Sequence, residues 1–199
     1  MAGHVAFTWS LYVLLTWLPS YFRDVHALSI GNSGLFSAAP WLTMFAVSNM
    51  VGPVADWMVE RGASVTATRK LMQCSALIGS AGILLALQAV HSPVTALVLL
   101  CGAAGALACT SAGHMPVYLD VAPRDGAVLF AFGNTFAAVP GIVGVAATGW
   151  LLDHTGTYLA AFVLTAIVSA LGALAFGLLV DARPIVDEGA KGHEGGAPA

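Results

Sequence analysis

The sequence predicts an all-α protein that crosses a membrane six times. Of its 199 residues, 58% are hydrophobic and only 9% are charged, whereas soluble proteins carry roughly 25% charged residues. The mean hydropathy of +0.85 means that the apolar surface exceeds what one soluble core could bury, so lipid must be part of the solvent. Six uncharged stretches are long enough to cross a hydrocarbon layer of roughly 30 Å as helices.

The six spans divide the chain into one bundle and a tail. We place them approximately at residues 4–22, 34–54, 71–90, 93–119, 126–152 and 158–180. One transmembrane domain therefore covers residues 1–181. Residues 182–199 are rich in glycine, alanine and acidic side chains and lack apolar periodicity, so we predict a disordered cytosolic tail there.

Composition also excludes several classes of protein. A formal net charge of −3 and seven scattered basic residues provide no basic patch for nucleic acid. The three cysteines, Cys74, Cys101 and Cys109, lie inside apolar runs without the spacing of metal ligands. We therefore expect no metal site and no cofactor. The partner that the composition does require is a lipid bilayer.

The basic residues predict the orientation of the spans, because positively charged loops stay on the cytosolic side. If the N-terminus is cytosolic, only Arg23 lies outside. The cytosolic loops and tail then hold the other six basic residues, namely Arg61, Arg69, Lys70, Arg124, Arg183 and Lys191.

Polar residues separate the spans into two groups. The last span has only Thr165 and Ser169, so we expect it to face lipid. The first, second, fourth and fifth spans carry more polar side chains, which are costly in hydrocarbon and normally face a bundle interior or a cavity. We predict that these four spans line a substrate path, with the following candidates: Tyr12, Thr16, Asn49, Ser111, His114 and Asn134.

Prolines within two of these spans predict local breaks. Pro116 in the fourth span and Pro140 in the fifth cannot donate a backbone hydrogen bond, so each invites a kink. The kinks either allow bending during a transport cycle or are packing features of the kind that many membrane proteins share.

Charges gather at one place between two long uncharged runs, at residues 52–70. Because both flanks are apolar, we predict a short loop in water. It is either a solvated turn that only sets the orientation or a gating loop. We expect Asp56 to be held by a helix N-terminus, whose dipole favours an anion, and by Arg61 or Arg69. The candidate gating residues are Gly52, Asp56, Arg61, Arg69 and Lys70.

The same loop resembles the signature of the major facilitator superfamily, in which G-x-x-x-D precedes basic residues. Here Gly52 and Asp56 precede Arg61 and the pair Arg69-Lys70. Further stretches resemble one branch of that superfamily, the anion:cation symporters, which include sialin, the vesicular glutamate transporters and the plastid phosphate transporters. These stretches follow one another at residues 9–22, 33–44, 69–73, 119–124, 133–135 and 148–153.

This resemblance implies a fold and a function. The fold would be the C-terminal six-helix half of a twelve-helix transporter, with an N-terminal half as its partner. The function would be secondary active transport of inorganic phosphate or an organic anion by alternating access, coupled to a proton or a sodium ion. In the family, such a loop clasps a helix end of the opposite half in one access state. The membrane would be that of a plastid or another organelle.

Two positions depart from the family pattern. The residue two before Trp9, often Arg or His in the family, is Phe7, and the His common before Leu119-Asp120 is Tyr118. A buried cation attracts an anion in a way that phenylalanine cannot replace. His114 lies one turn from Tyr118, so it either substitutes in part for these cations or is a hydrogen-bonded packing histidine.

A catalytic alternative rests on Gly31-Asn32-Ser33-Gly34, which matches the G-x-S-G around the nucleophile of six-span rhomboid proteases. A serine nucleophile needs a base within hydrogen-bonding reach, and the candidates are His26, His114 and His154. Ser33 is more simply an N-cap of the second span. We therefore predict no enzyme activity and no catalytic residue.

A third alternative involves neither catalysis nor transport. The chain could be a stand-alone half that acts as an assembly partner. Because the two halves of this superfamily share one orientation in the membrane, a second copy of this half is a topologically permitted partner.

Overall fold

The computed structural model describes residues 1–183, and all regular secondary structure in that range is helical. This confirms the predicted all-α class. Residues 184–199, which hold most of the predicted tail, lie outside the described range. The seven α-helices are α1 (Ala2–His26), α2 (Ile30–Glu60), α3 (Val65–Ala86), α4 (Pro93–Ala108), α5 (His114–Val121), α6 (Gly126–Thr155) and α7 (Tyr158–Leu179).

Six of the resulting segments are long and apolar enough to cross a membrane. Five of them are the long helices, α3 being extended by a short 3₁₀ turn at Leu87–Ala89. The fourth span, Pro93–Val121, combines α4, a 3₁₀ turn at Cys109–Ala112 and α5. The chain therefore forms a polytopic helical bundle, as the composition predicts.

Short polar residues start four of the helices. The side chains of Ser29, Ser64, Ser92 and Thr157 each accept a hydrogen bond from a backbone N–H in the first turn of α2, α3, α4 and α7 respectively. These bonds satisfy amides that have no partner within the helix. Ser29 is thus the N-cap of α2, and the prediction that Ser33 caps this helix is wrong. Ser33 lies one turn further along.

The helix α2 is longer than its sequence suggests. We predict a span that ends near residue 54, but the helix continues to Glu60 and contains both Pro40 and Pro53. Its 31 residues correspond to roughly 46 Å at 1.5 Å per residue, which exceeds the roughly 30 Å of bilayer hydrocarbon. The charged last turns can therefore stay helical and still lie outside the hydrocarbon.

Helix α1 lies at the centre of the bundle. It packs against α6 and α7, α7 packs against α3, and α3 packs against α4, which in turn packs against α2. The core between these helices is filled by large side chains such as Phe22, Leu77, Leu84, Leu100 and Leu107. By contrast, α2 and α6 bury the smallest share of their residues.

The structure corrects the expectation that the last span faces lipid along its whole length. One face of α7 is buried, and on it Ser169 hydrogen-bonds Ser10 of α1 at an Oγ–Oγ distance of 3.0 Å. Only the opposite face, with Leu171, Leu174 and Leu178, is exposed. The expectation failed because it counted only two polar residues in this span, Thr165 and Ser169. Both lie on the buried face of α7, where small residues such as Ala166 and Ala173 allow close packing.

The connections define two ends of the bundle. At the charged end, the Asp181 carboxylate accepts a hydrogen bond from Thr66 at 3.1 Å, and the Ala182 amide donates to the Thr66 hydroxyl at 3.0 Å. At the opposite end, Tyr158 donates to Asp24 at 2.9 Å. Lys70 and Arg61 lie at or near the charged end, and Arg23 lies at the opposite end.

Candidate functional site

The fourth span is interrupted between residues 109 and 113. The helix α4 ends at Ala108, a 3₁₀ turn follows, and α5 begins at His114. Pro116 lies in the first turn of α5 and has no N–H to bond the residue four positions earlier, which explains why α4 cannot continue into α5. The predicted break at Pro116 is therefore confirmed, whereas α6 runs through Pro140 without interruption.

Gly113 at this break allows α5 to approach α3 closely. A Cβ atom at position 113 would lie 2.6 Å from Gln73 Oε1 and 3.0 Å from Gln73 Cα. No side chain larger than hydrogen fits there without moving the backbone of α3. The glycine thus places the first residue of α5, His114, directly against Gln73.

Gln73 fixes the protonation pattern of His114. The Gln73 Oε1 atom accepts hydrogen bonds from the His114 backbone N–H at 3.0 Å and from His114 Nδ1 at 3.1 Å. The Gln73 amide nitrogen donates to the Gly3 carbonyl at 3.1 Å. Because an amide oxygen can only accept, the proton of neutral His114 is on Nδ1, which leaves Nε2 as an acceptor.

A second histidine packs against the first, with the two rings tilted by 34°. The rings of His4 on α1 and His114 have centroids 4.4 Å apart, and His4 Nδ1 is 3.1 Å from the Tyr118 hydroxyl. Phe130 of α6 stacks on His4 with ring centroids 5.7 Å apart, and the ring centroids of Phe7 and His114 are 5.5 Å apart. We call this group the histidine cluster, which consists of His4, Phe7, Gln73, His114, Tyr118 and Phe130.

One atom of the histidine cluster has no partner. His114 is only 2% exposed, and its Nε2 atom is buried without a hydrogen bond within residues 1–183. A buried acceptor of this kind is costly unless something donates to it. It can take up a proton or bond a donor group on a ligand.

The structure brings together some of the candidate path residues. Asn134 lies near His4, so His114 and Asn134 belong to one polar region. Tyr12 is half-buried and faces the backbone of α6 at Gly141. The other three lie apart from the histidine cluster's hydrogen bonds: Thr16 is exposed, Asn49 donates to the Phe45 carbonyl at 2.7 Å, and Ser111 donates to the Ala108 carbonyl at 2.9 Å.

Sequence reasoning missed His4 and Gln73 as members of this region. His4 lies one turn before Phe7 on the buried face of α1, and Gln73 is fully buried on α3. Both are strongly polar residues inside otherwise uncharged runs, and that placement was the available signal. Gln73 lies in the third span, which was not among the four spans predicted to line the path.

The charged stretch at residues 52–70 is mostly helix and contains only a short turn. Gly52 and Asp56 lie within α2, Arg69 and Lys70 lie within α3, and Arg61 is the C-cap of α2. Arg61 sits over the Trp57 ring, with 4.3 Å between the guanidinium carbon and the ring centroid. The prediction of one loop from 52 to 70 is therefore wrong, because α2 continues to Glu60 and α3 begins at Val65.

The expected partners of Asp56 are engaged elsewhere. Arg69 pairs with Asp120 at 2.7 Å, and Arg61 stacks on Trp57. Asp56 is exposed near the C-terminal end of α2, where the helix dipole disfavours an anion. The expectation that a helix N-terminus and an arginine hold Asp56 is thus wrong for this bundle.

The geometry around Ser33 does not form a nucleophile and base pair. The Ser33 hydroxyl donates to the Leu28 carbonyl at 3.4 Å and, in the described part of the chain, donates to no histidine. His26 contacts Tyr21, His114 bonds Gln73 and His154 bonds the Trp150 carbonyl. In the same range, no group of three or more His, Cys, Asp or Glu residues could hold a metal ion.

No family model matches the chain. It is 34% identical over 187 residues to "Probable anion transporter 1, chloroplastic" of Oryza sativa subsp. japonica, a match that covers 94% of this chain and 35% of the relative. It is 34% identical over 92% of its length to the sodium-dependent phosphate transport protein 1, chloroplastic, of Arabidopsis thaliana, of which the match covers 36%.

A third relative is the chloroplastic ascorbate transporter of Arabidopsis thaliana, which is 33% identical over 93% of this chain and is itself covered to 34%. The chain therefore spans about a third of the length of the curated relatives that it matches. Over more than nine-tenths of its own length, this six-span helical chain is similar to plant chloroplast transporters of anions, phosphate and ascorbate.

Proposed function

We propose that this chain is part of a secondary transporter that moves an anion, inorganic phosphate or an organic anion, across a membrane. The observation that carries the proposal is the similarity over 94% of the chain to a relative named as an anion transporter. The similarity extends through all six spans, so it concerns the bundle as a whole. The chloroplast relatives favour a plastid membrane as the location.

The proposed mechanism is alternating access by a six-helix bundle of the major facilitator type. Such transporters place their substrate site near the bilayer midplane between two bundles that rock against each other. The interruption between α4 and α5 lies beside the histidine cluster, and broken helices in membranes are tolerated where they are buried in protein or line a cavity. This arrangement supports a binding site on the α1, α5 and α6 side of the bundle.

The partner that we propose is a second six-helix bundle. Asn49 on α2 and Asn134 on α6 are exposed, and both helices have long exposed apolar faces. An amide that faces lipid is costly, so protein or a water-filled path is the better neighbour for these two positions. The partner is either the N-terminal half of the same transporter or a second copy of this bundle.

Uptake into lipid vesicles tests the proposal. The full-length gene product would be reconstituted, and the uptake of labelled phosphate and labelled ascorbate would be measured with an imposed proton gradient and, separately, a sodium gradient. We expect saturable uptake of at least one of the two anions above that of empty vesicles. Uptake of both anions at the level of empty vesicles would contradict the proposal, and the alternative of an assembly partner without transport would gain support.

A further inference from the structure

The histidine cluster contains two buried histidines, and Nε2 of His114 is a free acceptor within residues 1–183. A neutral acceptor atom does not attract an anion, so anion binding alone does not explain this arrangement. We propose that His4 and His114 form a proton-binding site that takes up a single proton together with the transported anion. This inference rests on the proposed anion transport and identifies the coupling ion as a proton. Its ligands are a proton on the histidine pair and an anion beside it.

The hydrogen bonds of His114 assign the atom that receives the proton. His114 Nδ1 already donates to Gln73 Oε1 at 3.1 Å, and the Gln73 amide is held by the Gly3 carbonyl at 3.1 Å. Nε2 is buried and has no partner in the described range. A proton from solvent can therefore add to Nε2 without breaking a bond that the structure contains.

The short distance between the two rings limits the pair to one proton. Their centroids are 4.4 Å apart, and two positive charges at that separation in a poorly solvated site repel each other strongly. The two histidines therefore titrate as one coupled unit. His4 can accept a hydrogen bond from the Tyr118 hydroxyl at 3.1 Å, and His114 is held by Gln73. These bonds keep the two rings next to each other.

Within residues 1–183, no carboxylate lies close enough to the pair to balance its charge. Tyr118 on α5 and the amino group of Met1 at the start of α1 are the titratable groups that face it. The neighbouring side chains on α3 and α6, Gln73 and Asn134, are neutral, and α7 contributes Phe176 against Gly3. A lone imidazolium in such a place pays the full cost of desolvation.

An anion at the pair removes that cost. A negative charge in contact with the imidazolium stabilises it, and the imidazolium in turn attracts the anion. Proton binding and anion binding therefore strengthen each other by the same factor, since linkage is reciprocal. Exposed Asn134, which lies near His4, is the polar side chain between the buried pair and the surface of the bundle.

Nitrogen NMR of the histidines tests the proton site directly. The full chain, with ¹⁵N-labelled histidine, would be reconstituted in lipid, and spectra would be recorded between about pH 5 and pH 8, where histidine charge usually changes. His4→Gln and His114→Gln identify the two signals among the six histidines. His154→Gln is the matched control, because His154 is exposed, hydrogen-bonds the Trp150 carbonyl and lies outside the histidine cluster.

We expect neutral His114 with its proton on Nδ1 at high pH and one imidazolium per pair at low pH. Added phosphate, and separately ascorbate, should move the midpoint of this titration to higher pH. A coupling of the usual size would make anion binding roughly 5- to 150-fold tighter when the pair is protonated. His114 that remains neutral at every pH with both anions would overturn the proposal, and the wild-type chain alone gives this answer.

Uptake measurements separate this inference from the proposed function. Wild-type uptake should rise as pH falls, and His114→Gln should lose that dependence, whereas His154→Gln should keep it. Because the titration of phosphate itself is common to all three proteins, the difference between them reports the histidine pair. Uptake that is normal and equally pH-dependent in His114→Gln would overturn the proton site and leave anion transport intact. A titrating pair without any anion uptake would support the proton site and contradict the transport function.

Discussion

Arg69 and Asp120 join the start of α3 to the end of α5 through two parallel hydrogen bonds. Arg69 Nε lies 2.7 Å from Asp120 Oδ2, and Arg69 Nη2 lies 3.3 Å from Asp120 Oδ1. A third bond runs from Arg69 Nη1 to the Ala112 carbonyl at 3.3 Å. The pair therefore clamps both sides of the break between α4 and α5 to the helix that holds Gln73.

Replacing either partner should weaken the bundle. Both side chains are largely buried, with exposed fractions of 13% and 21%, so Arg69→Gln or Asp120→Asn should destabilise the protein by about 1.5–3 kcal/mol, the range for hydrogen bonds to charged groups. Thermal unfolding in detergent measures the effect. Arg23→Gln is the control, because Arg23 pairs with its exposed neighbour Asp24 and surface pairs contribute little. Equal melting temperatures for Arg69→Gln and Arg23→Gln would contradict this role.

Asp56 should matter for transport and leave the stability of the bundle unchanged. It is exposed near the C-terminal end of α2, and neither arginine that we expected to hold it does so. If it contacts another bundle in one access state, Asp56→Asn should reduce anion uptake. The melting temperature should stay the same or rise slightly, since the variant removes an anion from a helix C-terminus.

The control for Asp56 is another exposed carboxylate on the opposite end of the bundle. Asp153→Asn in α6 removes a charge of the same sign and should not change uptake. Two results speak against the gating hypothesis: wild-type uptake in Asp56→Asn, or an equal loss in both variants. Arg61 and Lys70 are also candidate gating residues. If they take part in the same contact as Asp56, replacing either of them should likewise reduce anion uptake.

Length and composition were enough to predict six spans, because the hydrocarbon thickness sets a minimum for each apolar run. They failed at the end of α2 and the start of α3, where charged residues such as Asp56 and Arg69 lie within the helices. They also failed for α7, because Ser169 marks a buried face that hydropathy alone does not detect. The histidine cluster could be predicted only in part, since pairing His4 with His114 requires the packing of α1 against α5.

The contact between α1 and α7 should depend on the absence of a side chain at position 172. A Cβ atom on Gly172 would collide with the Cβ of Ala6, and both residues are buried in the core beside the Ser10–Ser169 hydrogen bond. Gly172→Ala should therefore destabilise the bundle by about 1–3 kcal/mol, as overpacking does.

A second glycine offers a matched control, for which substitution by alanine should raise the stability of the protein. Gly82 in α3 is exposed, and no atom lies within 4 Å of the position of its would-be Cβ. Gly82→Ala should stabilise the protein by roughly 0.5–1 kcal/mol, because alanine is the better residue inside a helix. The two melting temperatures should thus move in opposite directions. A rise for Gly172→Ala would show that α1 and α7 do not pack as closely as the structure has them.

The two ends of the bundle should be accessible from opposite sides of the membrane. Arg23 lies at the end marked by the Tyr158–Asp24 hydrogen bond, and Arg61 lies at the end marked by the contact of Thr66 with Asp181. Replacing each arginine by cysteine, in a chain whose Cys74, Cys101 and Cys109 are changed to alanine, allows labelling with a membrane-impermeant maleimide. Because five of the six basic residues described in the structure lie at the Arg61 end, we expect Arg61→Cys to react from the cytosolic side and Arg23→Cys from the other. One span, α2, separates the two positions. If both cysteines were labelled from the same side, α2 would not cross the membrane once, and the six-span arrangement would be wrong.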